Sequence, residues 1–412
     1  MKKNLINEYN LLESVIIHSP GSEHRFVMPK HLNEENKEDL LLEDYLLIDD
    51  ILFFEKALEE HNSFTNVIKK ITGEQNCFEI IDLFVEVLSN QTVQENLLSD
   101  TIELHKSFGV GDSANFIEMQ IGPQWKEFRQ KALKDGNRHL TDYDIRLSDK
   151  TEDDCIHIVR FLLWGNPGIN YPLPNIMFTR DLGISIGNSM IITWASNKVR
   201  NMENIIAKYI IKNHKLFSGC NIYDFHENHP DLALEGGDVT LINNEIIAIG
   251  VSERTSKASV EAITPFLYEN GIKYIMCFNM PEDRRFMHLD TVFSVINANE
   301  AIVYSPFFEQ GNSQELDVDI IKADREPFTT ATLKASKAFK EVGIDFNFIS
   351  CGKGGQQEDR EQWTDGANAF CLSPGKIIMY DRNIFTIEEL KKHGYAVISS
   401  NDSSALDRLN IS

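Results

Sequence analysis

Pairs of short strands joined by tight turns recur along the 412-residue chain, and they limit the folds that the chain can adopt. Val239 to Ile242 and Ile246 to Ile249 flank Asn243-Asn244, a turn typical of hairpins because asparagine tolerates positive φ. Phe370 to Leu372 and Ile377 to Tyr380 flank a second turn, Ser373-Pro374-Gly375. Further strand signals are Val15-Ile16-Ile17, Met190-Ile191-Ile192, Val292 to Ile296 and Ala301 to Tyr304.

Helical patterns lie between these strand pairs, at Met202 to Asn213, Val260 to Glu269 and Ala331 to Val342. The last is followed by a short strand, Phe346 to Ile349. The recurring unit is therefore hairpin, helix, strand, which predicts an α/β fold assembled from similar modules. A purely parallel sheet fits less well, because such short turns require antiparallel pairs.

One interval differs, because strand signals fade from about residue 62 to about 161 and helical patterns dominate. The predicted helices are Phe78 to Ser89, Val93 to Phe108, Gln124 to Lys134 (after Gly122-Pro123) and Asp153 to Phe161. We interpret the interval as a helical insertion. The predicted division is residues 1–70 and 161–412 for the α/β part and 71–160 for the insertion.

Composition restricts the class of protein and its partners. A net charge of −23 disfavours binding to nucleic acid or to anionic membrane surfaces, because the field of the protein repels both. The six cysteines show no metal-binding or disulfide spacing and are typical of reduced thiols. We find no signal-peptide pattern and no apolar run of membrane-spanning length. A soluble, cytoplasmic protein is expected.

Five segments place charged residues beside glycine, proline or aromatic residues at strand ends. Each has an ordinary structural explanation when taken alone, such as a surface ion pair or a capped turn. His288 and Asp290, two apart in a strand-like stretch, are expected on one face, where they could serve as an acid–base pair. The segments are Phe178 to Asp181, Glu235 to Val239, Glu253 to Ser256, Met287 to Thr291 and Arg360 to Asn368.

Taken together and in this order, the five segments resemble the arginine deiminase family. The resemblance begins at Leu11 to Gly21 and the acidic stretch Glu38 to Asp44, and it closes at Tyr380-Asp381-Arg382-Asn383. It implies a five-fold pseudo-symmetric α/β propeller (the pentein fold) with a helical bundle inserted after the first module. Both expectations agree with the repeated unit and the helix-rich interval.

The resemblance also implies a set of site residues and a reaction. Asp181 and Asp290 would hold the guanidinium of L-arginine, since carboxylates pair well with a planar fork of N–H donors. His288 would carry the proton, and Glu235 would hold the guanidinium and orient the imidazole of His288. The ligand's α-carboxylate would face Arg200, Arg254 and Asn368, and Phe178 would line the pocket. The implied reaction is hydrolysis of L-arginine to L-citrulline and ammonia through a cysteine thiouronium adduct, with no metal or organic cofactor.

The sequence departs from the family in one respect. The family's nucleophilic cysteine lies in a glycine-rich loop beyond the Tyr-Asp-Arg-Asn segment, whereas here no cysteine follows Cys371. Because the thiolate is the nucleophile, impaired turnover is expected. Cys351 and Cys371 are interpreted as scaffold residues.

Two functions therefore compete on the sequence alone. One is an arginine deiminase whose C-terminal loop is missing from these residues. The other is a non-catalytic relative that binds arginine or pairs with an active paralogue. An amidinotransferase of the same superfamily would need the same cysteine. The family's habit of association predicts a homo-oligomer.

Overall fold

The computed structural model describes residues 5–29, 46–107, 154–164, 171–322, 329–400 and 402. The acidic stretch Glu38 to Asp44, the predicted helix Gln124 to Lys134 and the last ten residues lie outside this part of the chain. The described residues form a mixed α/β fold whose strands make five sheets. None of the described helices is both long and apolar enough to span a membrane.

The strands are short, and most occur as hairpins. They are β1 Val15–Ile17, β2 Cys77–Glu79, β3 Gly183–Ile186, β4 Ser189–Ile192, β5 Asn221–Asp224, β6 Val239–Asn243, β7 Ile246–Val251, β8 Tyr274–Asn279, β9 Phe293–Asn297, β10 Glu300–Val303, β11 Asp317–Lys322, β12 Thr329–Lys334, β13 Asn347–Ser350, β14 Phe370–Ser373 and β15 Lys376–Ile378.

The helices between them are of moderate length. They are α1 Ser22–Arg25, α2 Phe54–Thr72, α3 Ile80–Leu88, α4 Gln91–Ser107, α5 Asp154–Trp164, α6 Asn201–Asn213, α7 Phe225–Asn228, α8 Lys257–Glu269, α9 Ala335–Glu341, α10 Gln356–Trp363 and α11 Ile384–Lys392. Helices α3, α4 and α5 lie in the predicted helix-rich interval. The boundaries predicted for a separate insertion stay a prediction.

The hairpin–helix–strand unit occurs three times in full. In each copy a hairpin precedes a helix and a strand parallel to the second hairpin strand: β3-β4-α6-β5, β6-β7-α8-β8 and β9-β10-α9-β13. In the third copy, strands β11 and β12 lie between the hairpin and the helix. Strands β14 and β15 form a fourth hairpin, and β1 pairs with β2 in parallel. The modular interpretation of the sequence is confirmed.

One predicted element is wrong in part. The pattern from Ala331 to Val342 was expected to be wholly helical, but residues 329–334 form β12, and helix α9 begins only at Ala335. The segment Thr329–Lys334 contains three threonines, which favour a strand, and it pairs along its whole length with β11. Strand β11 in turn pairs with β8, so the hairpin extends one sheet to five strands.

The core is continuous across several of these units. Phe278 and Phe293 are fully buried and pack beside Phe339 of α9. Leu97 of α4 and Ile206 of α6 belong to one apolar cluster, which fixes the helical segment against the sheet of β3 to β5. The sheets are thus held in place by close packing that tolerates little displacement.

Three of the hairpins are entered through a single 3-10 turn that carries an acidic residue. Thr179–Leu182 precedes β3, Gly236–Asp238 precedes β6 and Leu289–Thr291 precedes β9. Their acidic residues are Asp181, Asp238 and Asp290. The repeat therefore delivers carboxylates at equivalent positions of successive modules.

A buried charged cluster follows β1. His18 lies between two carboxylates, with Nδ1 2.8 Å from Glu79 Oε1 and Nε2 3.2 Å from Glu23 Oε1. Burial by itself lowers the pKa of His18, but hydrogen bonds and charges of Glu23 and Glu79 raise it to about 10. Burial by itself raises the pKa of Glu23, but the hydrogen bonds and charges of His18 and His24 lower that pKa to about 2. The cluster is an internal ion pair.

We expect His18→Ala to reduce the free energy of unfolding by about 3–5 kcal/mol, because the fully buried Glu23 and the partly buried Glu79 lose their cation. The raised pKa of His18 stabilises the folded state fully below the ordinary value of 6.5, and this stabilisation is lost as the pH rises through 10. The lowered pKa of Glu23 stabilises the folded state fully only above its ordinary value of 4.5. Urea unfolding should therefore show the largest difference from wild type between pH 4.5 and 6.5 and a smaller one near pH 10. The exposed His393→Ala is the control. A pH-independent difference would contradict the ion pair.

Candidate active site

Three buried side chains from three modules meet at the turns that enter the hairpins. Asp181, Glu235 and His288 each offer one ligand atom, and these atoms lie within 4.8 Å of one another. They come from segments 54 and 53 residues apart, which the sequence analysis named as separate motifs. The structure therefore places these three predicted residues together.

Glu235 lies at the centre of this group and is fully buried. Its Oε2 is 2.9 Å from His288 Nε2, and its Oε1 accepts hydrogen bonds from the backbone N–H of Ser196 (2.9 Å) and from the Ser196 hydroxyl (3.2 Å). Burial alone raises the pKa of Glu235, but His288, Arg200 and Arg254 outweigh it and lower the value to about 2. Glu235 is therefore a permanent anion.

His288 carries the matching positive charge. Burial by itself lowers its pKa, but the charge of Asp181 and the hydrogen bond with Glu235 raise it to about 10. Its Nδ1 is 3.8 Å from Asp181 Oδ1. At neutral pH the imidazole is thus protonated and held between two carboxylates, the state of a proton donor.

Asp181 is held from two sides. Its Oδ1 accepts a hydrogen bond from the Gly237 backbone N–H at 3.0 Å, and its Oδ2 is 2.6 Å from Arg200 Nη1. A Cβ at position 237 would lie only 2.6 Å from His288 Nδ1 and 2.8 Å from Asp181 Oδ1. The second glycine of the Glu235-Gly236-Gly237 motif is needed for this close approach.

Asp290 differs from the other carboxylates. It is half-buried, and none of the described residues donates a hydrogen bond to its carboxylate. Burial raises its pKa to about 6, with the charges of Asp181 and Asp365 adding to the effect and those of His288 and Arg180 opposing it. Asp290 is therefore a carboxylate acceptor without a hydrogen-bond donor in the part of the chain that the structure describes.

The expected geometry of His288 and Asp290 is wrong. They were placed on one face of a strand, but His288 precedes a 3-10 turn, Leu289–Thr291, and β9 begins only at Phe293. The turn directs His288 into the buried group and leaves Asp290 half-exposed. The two side chains do not share a strand face, but the charge of His288 still lowers the pKa of Asp290.

The other predicted site residues differ in how deeply they are buried and in whether they contact the Asp181, Glu235 and His288 group. Arg254 is buried with Nη1 3.8 Å from Glu235 Oε1, and its Nε donates to Glu253 at 2.9 Å. Asn368 is half-buried and Phe178 is 52% exposed. Among the described residues, neither Asn368 nor Phe178 forms a hydrogen bond or ion pair with the Asp181, Glu235 and His288 group.

Arg200 is more enclosed than its expected role suggests. All three guanidinium nitrogens have protein partners: Nη1 donates to Asp181, Nε to Glu203 Oε2 at 3.0 Å, and Nη2 to the Asn175 carbonyl oxygen at 3.2 Å. Nη1 is also 3.6 Å from Glu235 Oε2. Arg200 therefore belongs to the same buried network.

Sequence reasoning missed two members of this network, Glu203 and Asp238. Asp238 is fully buried and accepts hydrogen bonds from the Leu289 N–H (3.1 Å) and the Ser252 hydroxyl (2.7 Å). Burial raises its pKa to about 7. Its place beside the paired glycines was a usable signal. Glu203 lies on α6 in an ordinary helical pattern, so it carried no comparable signal.

The donor set of Asp181, Glu235 and His288 also resembles that of a metal site. The ligand chemistry fits a hydrogen-bonding cation better. A metal ion would have to displace the proton of His288, whose pKa is raised to about 10, and Arg200 Nη1 already lies 2.6 Å from Asp181. A cation with N–H donors in one plane can bind these carboxylates without displacing the proton of His288.

The six cysteines lie in other environments. None belongs to the Asp181, Glu235 and His288 group. The Cys371 thiol donates to the carbonyl oxygens of Ser373 and Ile296, and burial raises its pKa to about 12. Burial also raises the pKa of Cys277 to about 12 and that of Cys351 well above its ordinary value. These three thiols are poor nucleophiles.

Comparison with known proteins places this chain in a family. The family model described as arginine deiminase matches residues 44–406. Arginine deiminases of Staphylococcus aureus strains MRSA252 and JH9 are each 30% identical over 410 residues, covering 96% of this chain and 93% of theirs. Among solved structures, SxtG, an amidinotransferase from Microseira wollei, is 12% identical with a TM-score of 0.46 over 97% of this chain and 91% of its own. The chain belongs to the arginine deiminase family.

Proposed function

We propose that the buried group binds L-arginine by its guanidinium. The observation that carries this proposal is the grouping of Asp181, Glu235 and His288 beside Asp290, the carboxylate to which no described residue donates a hydrogen bond. A guanidinium offers five N–H donors in one plane and keeps its charge at every pH of interest. Family membership supports the same ligand.

Each residue takes a role that its surroundings favour. Asp290 and Asp181 accept hydrogen bonds from the ligand's guanidinium. Glu235, an anion held by Ser196, orients His288. His288 carries the proton that a leaving ammonia requires. We assign the ligand's α-carboxylate to Arg254 and Asn368, with Phe178 beside the aliphatic stem. Arg200, which was expected to share this role, has protein partners on all three guanidinium nitrogens and belongs to the carboxylate group instead.

The fold is the second part of the proposal. We infer that the five sheets are the blades of a five-fold pseudo-symmetric propeller and that residues 71–160 form an inserted helical bundle. Three complete hairpin–helix–strand units and two partial ones support it. The equivalent positions of Asp181, Asp238 and Asp290 at the entry of successive hairpins support it as well.

Turnover needs a thiolate that can attack the guanidinium carbon. The family reaction would convert L-arginine to L-citrulline and ammonia through a thiouronium adduct. Because the six cysteines of these 412 residues lie outside the buried group, we propose that these residues bind arginine but turn it over at an impaired rate. The same observation favours a second candidate, a non-catalytic arginine-binding protein that acts alone or beside an active paralogue.

Calorimetry should detect L-arginine binding, and Asp290→Asn should weaken it about 10- to 100-fold, because a charge-assisted hydrogen bond contributes about 1.5–3 kcal/mol. Asp345→Asn, a change at an exposed side chain, is the control and should leave the affinity unchanged. A parallel citrulline assay should show little product. Normal citrulline formation would contradict impaired turnover, and absence of binding in the wild type would contradict the proposed ligand.

The affinity should depend on pH through Asp290. Because burial raises its pKa to about 6, the carboxyl is partly protonated in weak acid, and its ionisation favours the cationic ligand as the pH rises. We expect arginine to bind about tenfold more weakly near pH 5 than near pH 7.5. Asp238 and Glu203, whose pKa values are raised to about 7, titrate nearby, so the comparison with Asp290→Asn isolates the effect. An identical pH profile in that variant would refute the assignment to Asp290.

A further inference from the structure

The buried group already contains a guanidinium, that of Arg200. Its Nη1 is 2.6 Å from Asp181 Oδ2, a proposed acceptor for the ligand's guanidinium, and 3.6 Å from Oε2 of the neighbouring Glu235. Arg200 is buried, and its pKa is raised above the ordinary value, so it stays charged. A cationic ligand must therefore share these carboxylates with a cation of the protein itself.

Glu203 holds Arg200 through a different nitrogen. It lies in the first turn of α6, three residues after Arg200, and its Oε2 is 3.0 Å from Arg200 Nε. Glu203 is buried, and it makes no other side-chain hydrogen bond among the described residues. The positive charge of Arg200 is thus divided among Glu203, Asp181 and Glu235.

We propose that Glu203 is a positioning residue. By holding Arg200 at Nε, it limits the pairing of Arg200 with Asp181 and Glu235 to one nitrogen, so that these carboxylates can also accept a cationic ligand. The inference rests on the proposed function, because it concerns the same pocket. Without the charge of Glu203, Arg200 would pair with the other two carboxylates alone and would occupy the guanidinium's place. Only the fraction of molecules with those carboxylates free would then bind, and the measured affinity would fall in proportion.

The electrostatic surroundings of Glu203 support this role. Burial raises its pKa to about 7, Arg200 opposes that shift, and Asp181 and Glu235 add to it. Burial raises the pKa of the neighbouring Tyr171, and the charge of Glu203 adds to that shift. Above neutral pH Glu203 is an anion whose main interaction is with Arg200, so its effect on a ligand passes through that side chain.

The test compares two ligands that differ in charge at the reacting end. L-arginine carries a guanidinium, and L-citrulline carries a neutral ureido group of nearly the same shape. Calorimetry at about pH 8 should show that Glu203→Gln weakens arginine binding about tenfold, whereas citrulline binding changes less than about twofold. Glu227→Gln, which alters an exposed ion pair with Lys212, is the matched control and should change neither affinity.

Two results would overturn the proposal. Equal losses for arginine and citrulline would show a merely structural role, and unchanged arginine affinity would show no role. In an Arg200→Gln background, Glu203→Gln should no longer alter the ratio of the two affinities, and a persisting change would also refute action through Arg200. If Glu203→Gln fails to fold, Glu203→Asp should give a smaller loss that is still confined to arginine.

Failure of the proposed function remains distinguishable. If the wild type binds neither ligand, arginine binding is refuted. The role of Glu203 is then tested by using NMR to measure the pKa of His288. Glu203→Gln should then lower the pKa of His288, because Arg200 neutralises Asp181 and Glu235 more fully. That shift should vanish in the Arg200→Gln background. An unchanged pKa, or a shift that persists in that background, would overturn the positioning role.

Discussion

The fully buried carboxylate of Glu235 is the constraint on which the rest of the site depends. A charge removed from water needs partners, and Glu235 obtains them from Ser196, His288, Arg200 and Arg254. These residues come from separate segments, so the chain reaches its lowest energy only when those segments meet. Losing one partner of such a group costs about 3–5 kcal/mol. The site and the fold are therefore specified together.

Similar positions in the repeat acquire different chemistry because their surroundings differ. Asp290 and Asp238 each lie in the turn that enters a hairpin, and burial raises their pKa values to about 6 and about 7. Glu235, one residue before such a turn, is held at about 2 because three cations surround it. Glu235 is therefore ionised at neutral pH, whereas Asp290 and Asp238 titrate close to neutral pH. Divergent environments of this kind assign roles to chemically similar groups.

The sequence predicted the hairpins because they carry local signals. It predicted the residues of the buried group through the resemblance of five ordered motifs to the arginine deiminase family. The Asn243-Asn244 turn between β6 and β7 and the paired glycines after Glu235 can be recognised from a few neighbouring residues. Strand β12 could not be predicted in this way, because its conformation depends on pairing with β11 and, through it, with β8. Glu203 is similar, since its role depends on contacts with Arg200, Asp181 and Glu235 that a helical pattern does not show.

In the proposed function, binding and turnover have different structural origins. Asp181 and Asp290, the carboxylates proposed to bind the guanidinium, lie in turns that enter the repeated hairpins. A thiolate nucleophile is an addition to that architecture, since it needs a cationic, partly exposed setting that lowers its pKa. Cys277, Cys351 and Cys371 lie in the opposite setting, where burial raises the pKa of the thiol. Under the proposed function, recognition of a guanidinium would therefore not depend on the presence of the nucleophile.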